Sequence, residues 1–180
     1  MLINAERSVL LVIDVQQRLA PVIHDVESVI RRIIWLIQVG SRLGVPVVGT
    51  EQYPAGLGPL VPQIGPLIPR ERTVSKIRFS AATDGCLNGV DAMDRPQVVI
   101  TGMESHVCVL QTALELADQG KEVFVVAEAV GSRRPADRDL ALERMRQEGC
   151  RIVSGEMVAF EWLAQAGTEV FREISREFLR

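Results

Sequence analysis

Short apolar runs alternate with longer amphipathic stretches along the chain. The run "VLLVIDV" (residues 9–15) is continuously apolar and rich in β-branched residues, as expected of a strand covered on both faces. Five further strand-like stretches follow it, "VPVVGTE", "TVSK", "QVVIT", "EVFVVAE" and "CRIVS". Strands that alternate with helices predict an α/β fold of three layers, α-β-α and Rossmann-like, with a mainly parallel six-stranded sheet at its centre.

The helical stretches between these runs have recognisable ends. The first is predicted over residues 25–43, with Asp25 as a candidate N-cap and Gly44 as a stop. A weak helix is predicted near residues 84–93, and clearer ones over residues 106–119, 135–148, 156–165 and 168–179. Residues 52–72 instead contain five prolines and three glycines and show no period. Such long loops are usually functional, so we expect this one to form a lid or a wall of a site.

The first helix has an aromatic residue on its polar side. Arg31, Gln38 and Arg42 recur with Trp35 at helical spacing, opposite a stripe of isoleucine and valine. An indole on a face otherwise suited to water indicates that something covers it. We expect Trp35 to lie at or near a subunit interface; the alternative is that the ring packs along arginine side chains.

The composition describes an ordinary compact domain. The chain has 180 residues, of which 47% are hydrophobic and 24% charged, so a single domain over residues 1–180 is expected. Its net charge of −3 argues against nucleic-acid binding through phosphate neutralisation. No apolar run approaches the roughly 18 residues of a membrane span. The N-terminal "MLINAERS" has no signal-peptide pattern, so we expect a cytoplasmic protein without a membrane partner.

The cysteines do not indicate a metal site. There are three of them, Cys86, Cys108 and Cys150, and no pair has CxxC spacing. His24 and His106 are the two histidines of the chain. Zinc sites need a denser set of such ligands, so we expect no metal and no other cofactor, and thiols that stay reduced.

Three reactive side chains fall at predicted strand ends. Asp14 ends the first strand, Lys76 ends the short third one, and Cys108 follows the fourth in "VVITGMESHVCV". In parallel sheets, ligands bind beyond the carboxyl ends of the strands, where the strand order reverses. If the order is 3-2-1-4-5-6, the first and fourth strands are neighbours at that point, and the carboxylate meets the thiol there.

A thiol at the start of a helix is a candidate nucleophile. The helix dipole and the unpaired N–H groups favour a thiolate at Cys108, and they can also hold an oxyanion. Asp14 is then a candidate acid and base, and Lys76 a cation that balances charge. Taken singly, these residues also fit a structural thiol, a metal-binding or phosphate-accepting aspartate and a surface lysine. Their convergence is what indicates catalysis.

The same three residues resemble those of a known family. Asp14 in "VIDVQ", Lys76 in "SKIRFSA" and Cys108 in "TGMESHVCV" are similar to the triad of the isochorismatase-like cysteine hydrolases, which include nicotinamidases and N-carbamoylsarcosine amidases. The resemblance spans residues 10–163, and "TEQYPAGLG" and "SGEMVAFEWL" are similar to the isochorismatase-domain-containing subgroup. It implies the strand order 3-2-1-4-5-6, a Cys–Asp–Lys triad and a homo-oligomer, dimeric or larger.

The resemblance also implies a particular turn before the nucleophile. A non-proline cis peptide bond is expected between Met103 and Glu104, and the backbone N–H groups of Glu104 and Cys108 are expected to form an oxyanion hole. Residues beside the triad are candidate contacts to a small-molecule substrate, because they follow the same strand ends or flank the nucleophile: Gln16, Gln52, Tyr53, Phe79, Ser105 and His106.

The departures from the family pattern narrow the expected chemistry. Nicotinamidases of the family carry histidine metal ligands after the second strand, where this chain reads "TEQYPAGLGPLVPQIG" without a histidine. The presence of Cys108 favours hydrolysis of a C–N bond, in an amide or carbamoyl compound, through a thioester. Two alternatives stay open. One is hydrolysis of a vinyl ether such as isochorismate, which needs protonation more than a nucleophile, and the other is a non-catalytic oligomeric interaction module that keeps the triad.

Overall fold

One six-stranded parallel sheet forms the centre of the computed structural model, which describes residues 1–83 and 85–179. The strands occur in the order β3-β2-β1-β4-β5-β6, and every neighbouring pair is parallel. Their bounds are β1 Ser8–Ile13, β2 Val47–Gln52, β3 Thr73–Lys76, β4 Gln97–Met103, β5 Glu122–Gly131 and β6 Arg151–Val153. This confirms the predicted α/β class and the predicted strand order.

The two central strands have the most apolar sequences. Every residue of β1 and of β4 is buried, which is why these runs show no alternation of polar and apolar positions. Leu10 of β1 pairs with Val47 on one side and with Val99 on the other. At the carboxyl end, Ile13 faces Thr50 and Gly102 in the same way, so the residues that follow β1, β2 and β4 emerge at one edge.

Helices cover both faces of the sheet. They are α1 Val26–Arg42, α2 Pro54–Leu57, α3 Leu110–Asp118, α4 Pro135–Gln147, α5 Gly155–Leu163 and α6 Glu169–Phe178. One apolar core lies between the sheet and α1, α5 and α6, and a second lies between the sheet and α3 and α4. No helix among the described residues combines the length and the apolar character needed to cross a bilayer.

One predicted helix is not formed, and one predicted cap lacks its hydrogen bond. Asp25 lies at the N-cap position of α1 as predicted, but its φ of 47° departs from the extended backbone typical of a cap, and its side chain makes no capping hydrogen bond. The weak helix predicted near residues 84–93 is replaced by turns and a 3-10 turn at Asp91–Asp94, and residue 84 lies outside the described residues. Gly85 and Gly89 both have positive φ, which is incompatible with a right-handed helix.

The structure shows what covers Trp35 within its own chain. Its indole N–H donates to the carbonyl of Phe178 at 2.9 Å, and the Arg32 guanidinium lies 4.9 Å from the ring centroid. Trp35 belongs to the partly buried residues that pack on the core beneath α6. The chain's own C-terminal helix therefore covers this ring, and a second subunit is not required to do so.

Candidate active site

A carboxylate and an ammonium meet at the carboxyl edge of the sheet. Lys76 Nζ, from the end of β3, lies 2.7 Å from Asp14 Oδ2, which follows β1. Both side chains have no exposed surface. Because β2 separates the two strands, a side chain as long as lysine is needed to span the gap. The pair was predicted from sequence as two separate strand ends, and the sheet brings them into contact.

Asp14 is held in an unusual backbone conformation. Its φ is 52°, a left-handed value that non-glycine residues rarely adopt and that is often found at functional sites. Its Oδ1 accepts a hydrogen bond from the Thr50 hydroxyl at 2.6 Å. Among the described residues, no donor makes a well-aligned hydrogen bond to Oδ2, although the Lys76 ammonium faces that oxygen. One carboxylate oxygen thus accepts from a hydroxyl, and the other is paired with the ammonium.

The Lys76 ammonium is surrounded by oxygen atoms. It donates to the side-chain carbonyl of Gln52 at 2.6 Å, to the carbonyl of Phe79 at 2.9 Å and to that of Arg78 at 3.3 Å. A charge this deeply buried is tolerated only when it is paired and hydrogen-bonded, and Lys76 is both. The Lys76–Asp14 pair therefore places two opposite charges in the site with no net charge.

Gln16 holds the backbone next to the Asp14–Lys76 ion pair in place through hydrogen bonds. Its amide group donates to the carbonyls of Gln52 at 3.0 Å and Gly58 at 2.6 Å, and its carbonyl accepts from the N–H of Gln52 at 2.8 Å. All of these bonds tie the loop after β1 to the loop after β2. The sequence predicts that Gln16 contacts substrate. In the structure its polar side-chain atoms are hydrogen-bonded to backbone groups, and the side chain does not line the cavity.

Cys108 lies in an irregular turn between β4 and α3. Residues Ser105–Val109 form a single π-helical turn, whereas the sequence pattern predicts a regular helix from residue 106 onward. The peptide bond between Met103 and Glu104 is cis, at the position expected from the family resemblance. The turn places Cys108 at the wall of the cavity, where the side chain is almost fully buried.

The acidity of this thiol differs from the expectation. Burial and, after it, the neighbouring Asp14 carboxylate together raise the pKa of Cys108 to about 12, against an opposing effect of Lys76, which lowers it. We had expected the start of the helix to favour a thiolate. Removal from water and the negative charge of Asp14 outweigh the helix, so the resting side chain is a neutral thiol at pH 7.

A cavity of about 230 Å³ opens at Cys108. Most of its wall is aliphatic or aromatic and comes from the loop after β1, from α2, from the segment after β3 and from the turn after β4: Leu19, Val22, Leu57, Phe79 and Val107. Its polar wall consists of Gln52 together with Glu104 and Arg133, whose carboxylate and guanidinium pair at 2.9 Å. The cavity is thus largely apolar, with the nucleophile candidate on one side.

The other predicted substrate contacts fall into two groups, those that line the cavity and those that do not. Phe79 lines the cavity. Tyr53 has a φ of 37°, is 55% exposed and packs against Gly56, and it is not part of the cavity wall. Ser105 is fully buried, and its hydroxyl has no hydrogen-bond partner among the described residues. His106 Nδ1 lies 3.0 Å from the Ser132 hydroxyl, away from the cavity. Tyr53, Ser105 and His106 therefore do not line the cavity.

Several cavity residues were missed in the sequence. Leu19, Val22, Leu57 and Val107 are apolar residues of loops and turns. Loop residues at the carboxyl edge of a sheet are placed to contact ligands, and an apolar residue there is a usable signal. No group of three or more histidine, cysteine, aspartate or glutamate side chains suited to a metal occurs within residues 1–83 and 85–179.

Comparison with known proteins agrees with this architecture. A family model described as the isochorismatase domain matches residues 8–157. Isochorismatase domain-containing protein 2 of Danio rerio is 36% identical over 97% of this chain and 88% of its own length. The structure of the MAR1 ribonuclease of Caenorhabditis elegans has a TM-score of 0.91 and 32% identity, covering 100% of this chain and 93% of that one.

A further structure shows how widely the fold is shared. The YcaC gene product of Escherichia coli, described as an octameric hydrolase of unknown specificity, has a TM-score of 0.84. The two chains are 24% identical, over 92% of this chain and 83% of that one, so the likeness concerns the fold. The family match and the relatives of more than 30% identity lead to one conclusion: the chain belongs to the isochorismatase domain family of hydrolases.

Proposed function

We propose that the chain hydrolyses a C–N bond of a small amide or carbamoyl compound through a thioester on Cys108. The observation that carries this proposal is the buried ion pair. Lys76 Nζ lies 2.7 Å from Asp14 Oδ2, beside a neutral thiol whose acidity both groups influence. An acceptor without an aligned donor, next to a protonated nucleophile, is the arrangement that general-base activation needs.

The first step forms the thioester precursor. Cys108 Sγ attacks the carbonyl carbon of the substrate while its proton moves to Asp14 Oδ2. The electron pair of the carbonyl bond moves to oxygen, and the N–H groups of Glu104 and Cys108 donate to that oxyanion. Because the pKa of the resting thiol is about 12, this proton transfer accompanies the attack and does not precede it.

The second half of the reaction releases both products. Asp14 passes its proton to the leaving nitrogen as the C–N bond breaks, which leaves an acyl group on Cys108. Water then attacks the thioester carbon and gives one proton to Asp14, and the sulfur leaves and recovers that proton as the acid is released. Lys76 balances the charge of Asp14 whenever the carboxylate is ionised. No metal enters any of these steps.

Two other functions remain as outcomes of the same experiment. We propose to measure hydrolysis of a panel of amides, carbamoyl compounds and isochorismate with the Cys108→Ala and Asp14→Ala variants. Loss of amide hydrolysis in both variants supports the proposal. Activity on isochorismate that survives Cys108→Ala but not Asp14→Ala supports vinyl-ether hydrolysis, and no turnover by wild type supports a non-catalytic module.

The matched control makes the same cysteine-to-alanine substitution at a position away from the site. Cys86→Ala removes a thiol that does not line the cavity at Cys108. It is expected to retain wild-type turnover, so a loss specific to Cys108→Ala reports on the nucleophile and not on cysteine content. Thermal unfolding of each variant verifies that it is folded.

We also propose that the chain acts on its substrate as a homo-oligomer. Large apolar side chains are exposed on the N-terminal segment and on α5: Leu2, Met157 and Phe160 are 73%, 54% and 50% exposed. Apolar surface of this kind is typical of protein interfaces. The chemical steps proposed above use residues of a single chain and do not depend on the assembly.

A further inference from the structure

We propose that the substrate is a neutral amide with a compact hydrocarbon group, held by the apolar wall beside Cys108. This inference rests on the proposed function and names the substrate class for that site. Its basis is the composition of the cavity, in which side chains from three separate segments present hydrocarbon to the space in front of the sulfur: Leu19 and Val22, Leu57, and Phe79.

The apolar wall extends to the mouth of the cavity. Val22 is 54% exposed and Phe79 is 53% exposed, although both line it. Hydrocarbon left in contact with water gains free energy when a ligand of the same character covers it. A substrate with an aliphatic or aromatic group would bury both side chains as it enters.

The charges around the cavity indicate a neutral ligand. Asp14 and Lys76 neutralise each other at 2.7 Å, and Glu104 and Arg133, the charged residues of the described wall, do so at 2.9 Å. No charge is left over to balance one on the substrate. A charged group pressed against the apolar wall would lose its hydration without an equivalent replacement.

The volume sets the size of the hydrocarbon group. At about 230 Å³, the cavity is smaller than the roughly 300–1,000 Å³ of pockets that hold drug-sized ligands. It therefore suits a short hydrocarbon chain, such as that of pentanamide or hexanamide.

The test is a series of unbranched amides from acetamide to octanamide, with ammonia release by the wild-type protein as the readout. We expect kcat/KM to rise about fourfold for each added methylene, the factor equivalent to about 0.8 kcal/mol per buried CH₂, and to level off near hexanamide. Succinamate, an anionic amide of similar size, is expected to react at least 100-fold more slowly than pentanamide.

A pair of variants tests whether the dependence of kcat/KM on chain length comes from the apolar wall. Leu57→Ala shortens the wall, so we expect the rise with chain length to become shallower. Leu140→Ala makes the same change on an exposed residue of α4 and is expected to retain the wild-type slope. Far-UV circular dichroism and thermal unfolding show whether either variant is folded, and the wild-type series is informative without them.

The outcomes separate this inference from the function on which it rests. Hydrolysis of acetamide with no rise along the series, or a preference for succinamate, overturns the substrate class and leaves the thioester proposal standing. An unaltered slope in Leu57→Ala overturns the role of the apolar wall. No turnover of any amide, together with no acyl group on Cys108, overturns both proposals.

Discussion

At the scale of single residues, the proposed mechanism divides its work between a neutral nucleophile and a charged pair. Cys108 is kept protonated by burial and by the neighbouring Asp14 carboxylate, which together raise its pKa to about 12. Asp14 has one oxygen fixed by Thr50 and the other facing Lys76. This arrangement avoids a resting thiolate, which would add a third, unbalanced charge to a buried site. The proton then has one acceptor within the pair, Asp14.

Replacing the proposed base without changing its shape tests this division. In Asp14→Asn the amide nitrogen or oxygen occupies the place of Oδ2 but cannot take a proton from the thiol. We expect kcat for a hydrolysed amide to fall by about 10²- to 10⁴-fold, with a much smaller change in KM. Asp139→Asn, on the exposed side of α4, is the matched control and should behave as wild type. Steady-state kinetics with near-normal kcat in Asp14→Asn would exclude the base.

The protonation of Cys108 makes a separate prediction about pH. With a pKa of about 12, the thiolate fraction rises about tenfold per pH unit between pH 7 and 10. We therefore expect the rate of alkylation by iodoacetamide to rise in parallel and not to level off in this range, since the thiolate is the reacting form. Peptide mass spectrometry at several times gives the rate for Cys108. A plateau below pH 9 would mean that the resting site holds a thiolate.

At the scale of elements, close strand packing positions the three groups. Gly102 of β4 has a φ of 123°, and a Cβ atom there would lie 2.0 Å from the carbonyl oxygen of Ile13. Ile13 is the last residue of β1, directly before Asp14. The contact between these two backbones therefore sets the spacing of the strands after which Asp14 and the turn that carries Cys108 follow.

A pair of glycine substitutions tests this contact. We expect Gly102→Ala to destabilise the protein by about 3 kcal/mol or more, since backbone atoms cannot move aside without separating β1 from β4. Gly120→Ala also has a positive φ, of 86°, but meets no atom within 4 Å, and should cost about 1 kcal/mol. Urea unfolding followed by circular dichroism compares the two. Equal losses would show that φ alone, and not the strand contact, determines the cost.

Sequence patterns predicted the strands and helices more accurately than they predicted the irregular backbone segments between them. The buried runs of β1 and β4 and the glycine stop at Gly44 after α1 are local signals, and the strand order followed from the family resemblance. The π-helical turn at Ser105–Val109 and the left-handed Tyr53 are set by tertiary contacts, which no spacing in the sequence encodes. For that reason the approach of Lys76 to Asp14 was predicted, while Gln16, Tyr53, Ser105 and His106, predicted as substrate contacts, do not line the cavity beside Cys108.

At the scale of the whole molecule, the chain covers some of its apolar surface itself. The amphipathic α6 packs over Trp35 and buries Ile174. The side of α1 that the sequence pattern predicts to contact a partner is therefore covered by α6 of the same chain. Sequence reasoning missed this because α6 lies more than 130 residues away from Trp35 along the chain. Apolar residues of α5 and of the N-terminal segment stay exposed in the single chain.

The oligomer is predicted at this scale. Because Leu2, Met157 and Phe160 expose hydrocarbon on one side of the molecule, we expect light scattering during size-exclusion chromatography to give a multiple of the chain mass of 19.9 kDa. Phe160→Glu places a charge on that surface and should lower the mass. Wild type that elutes at 19.9 kDa over the whole concentration range would contradict the proposal.

Direct observation of the acyl enzyme tests the central claim. We propose to quench the protein with acid during turnover of pentanamide and to measure the peptide that contains Cys108 by mass spectrometry. The account predicts an added mass equal to the acyl group, on Cys108 alone, and its disappearance once the amide is consumed. Steady hydrolysis of the amide by Cys108→Ala, with no acylated peptide in wild type, would contradict it.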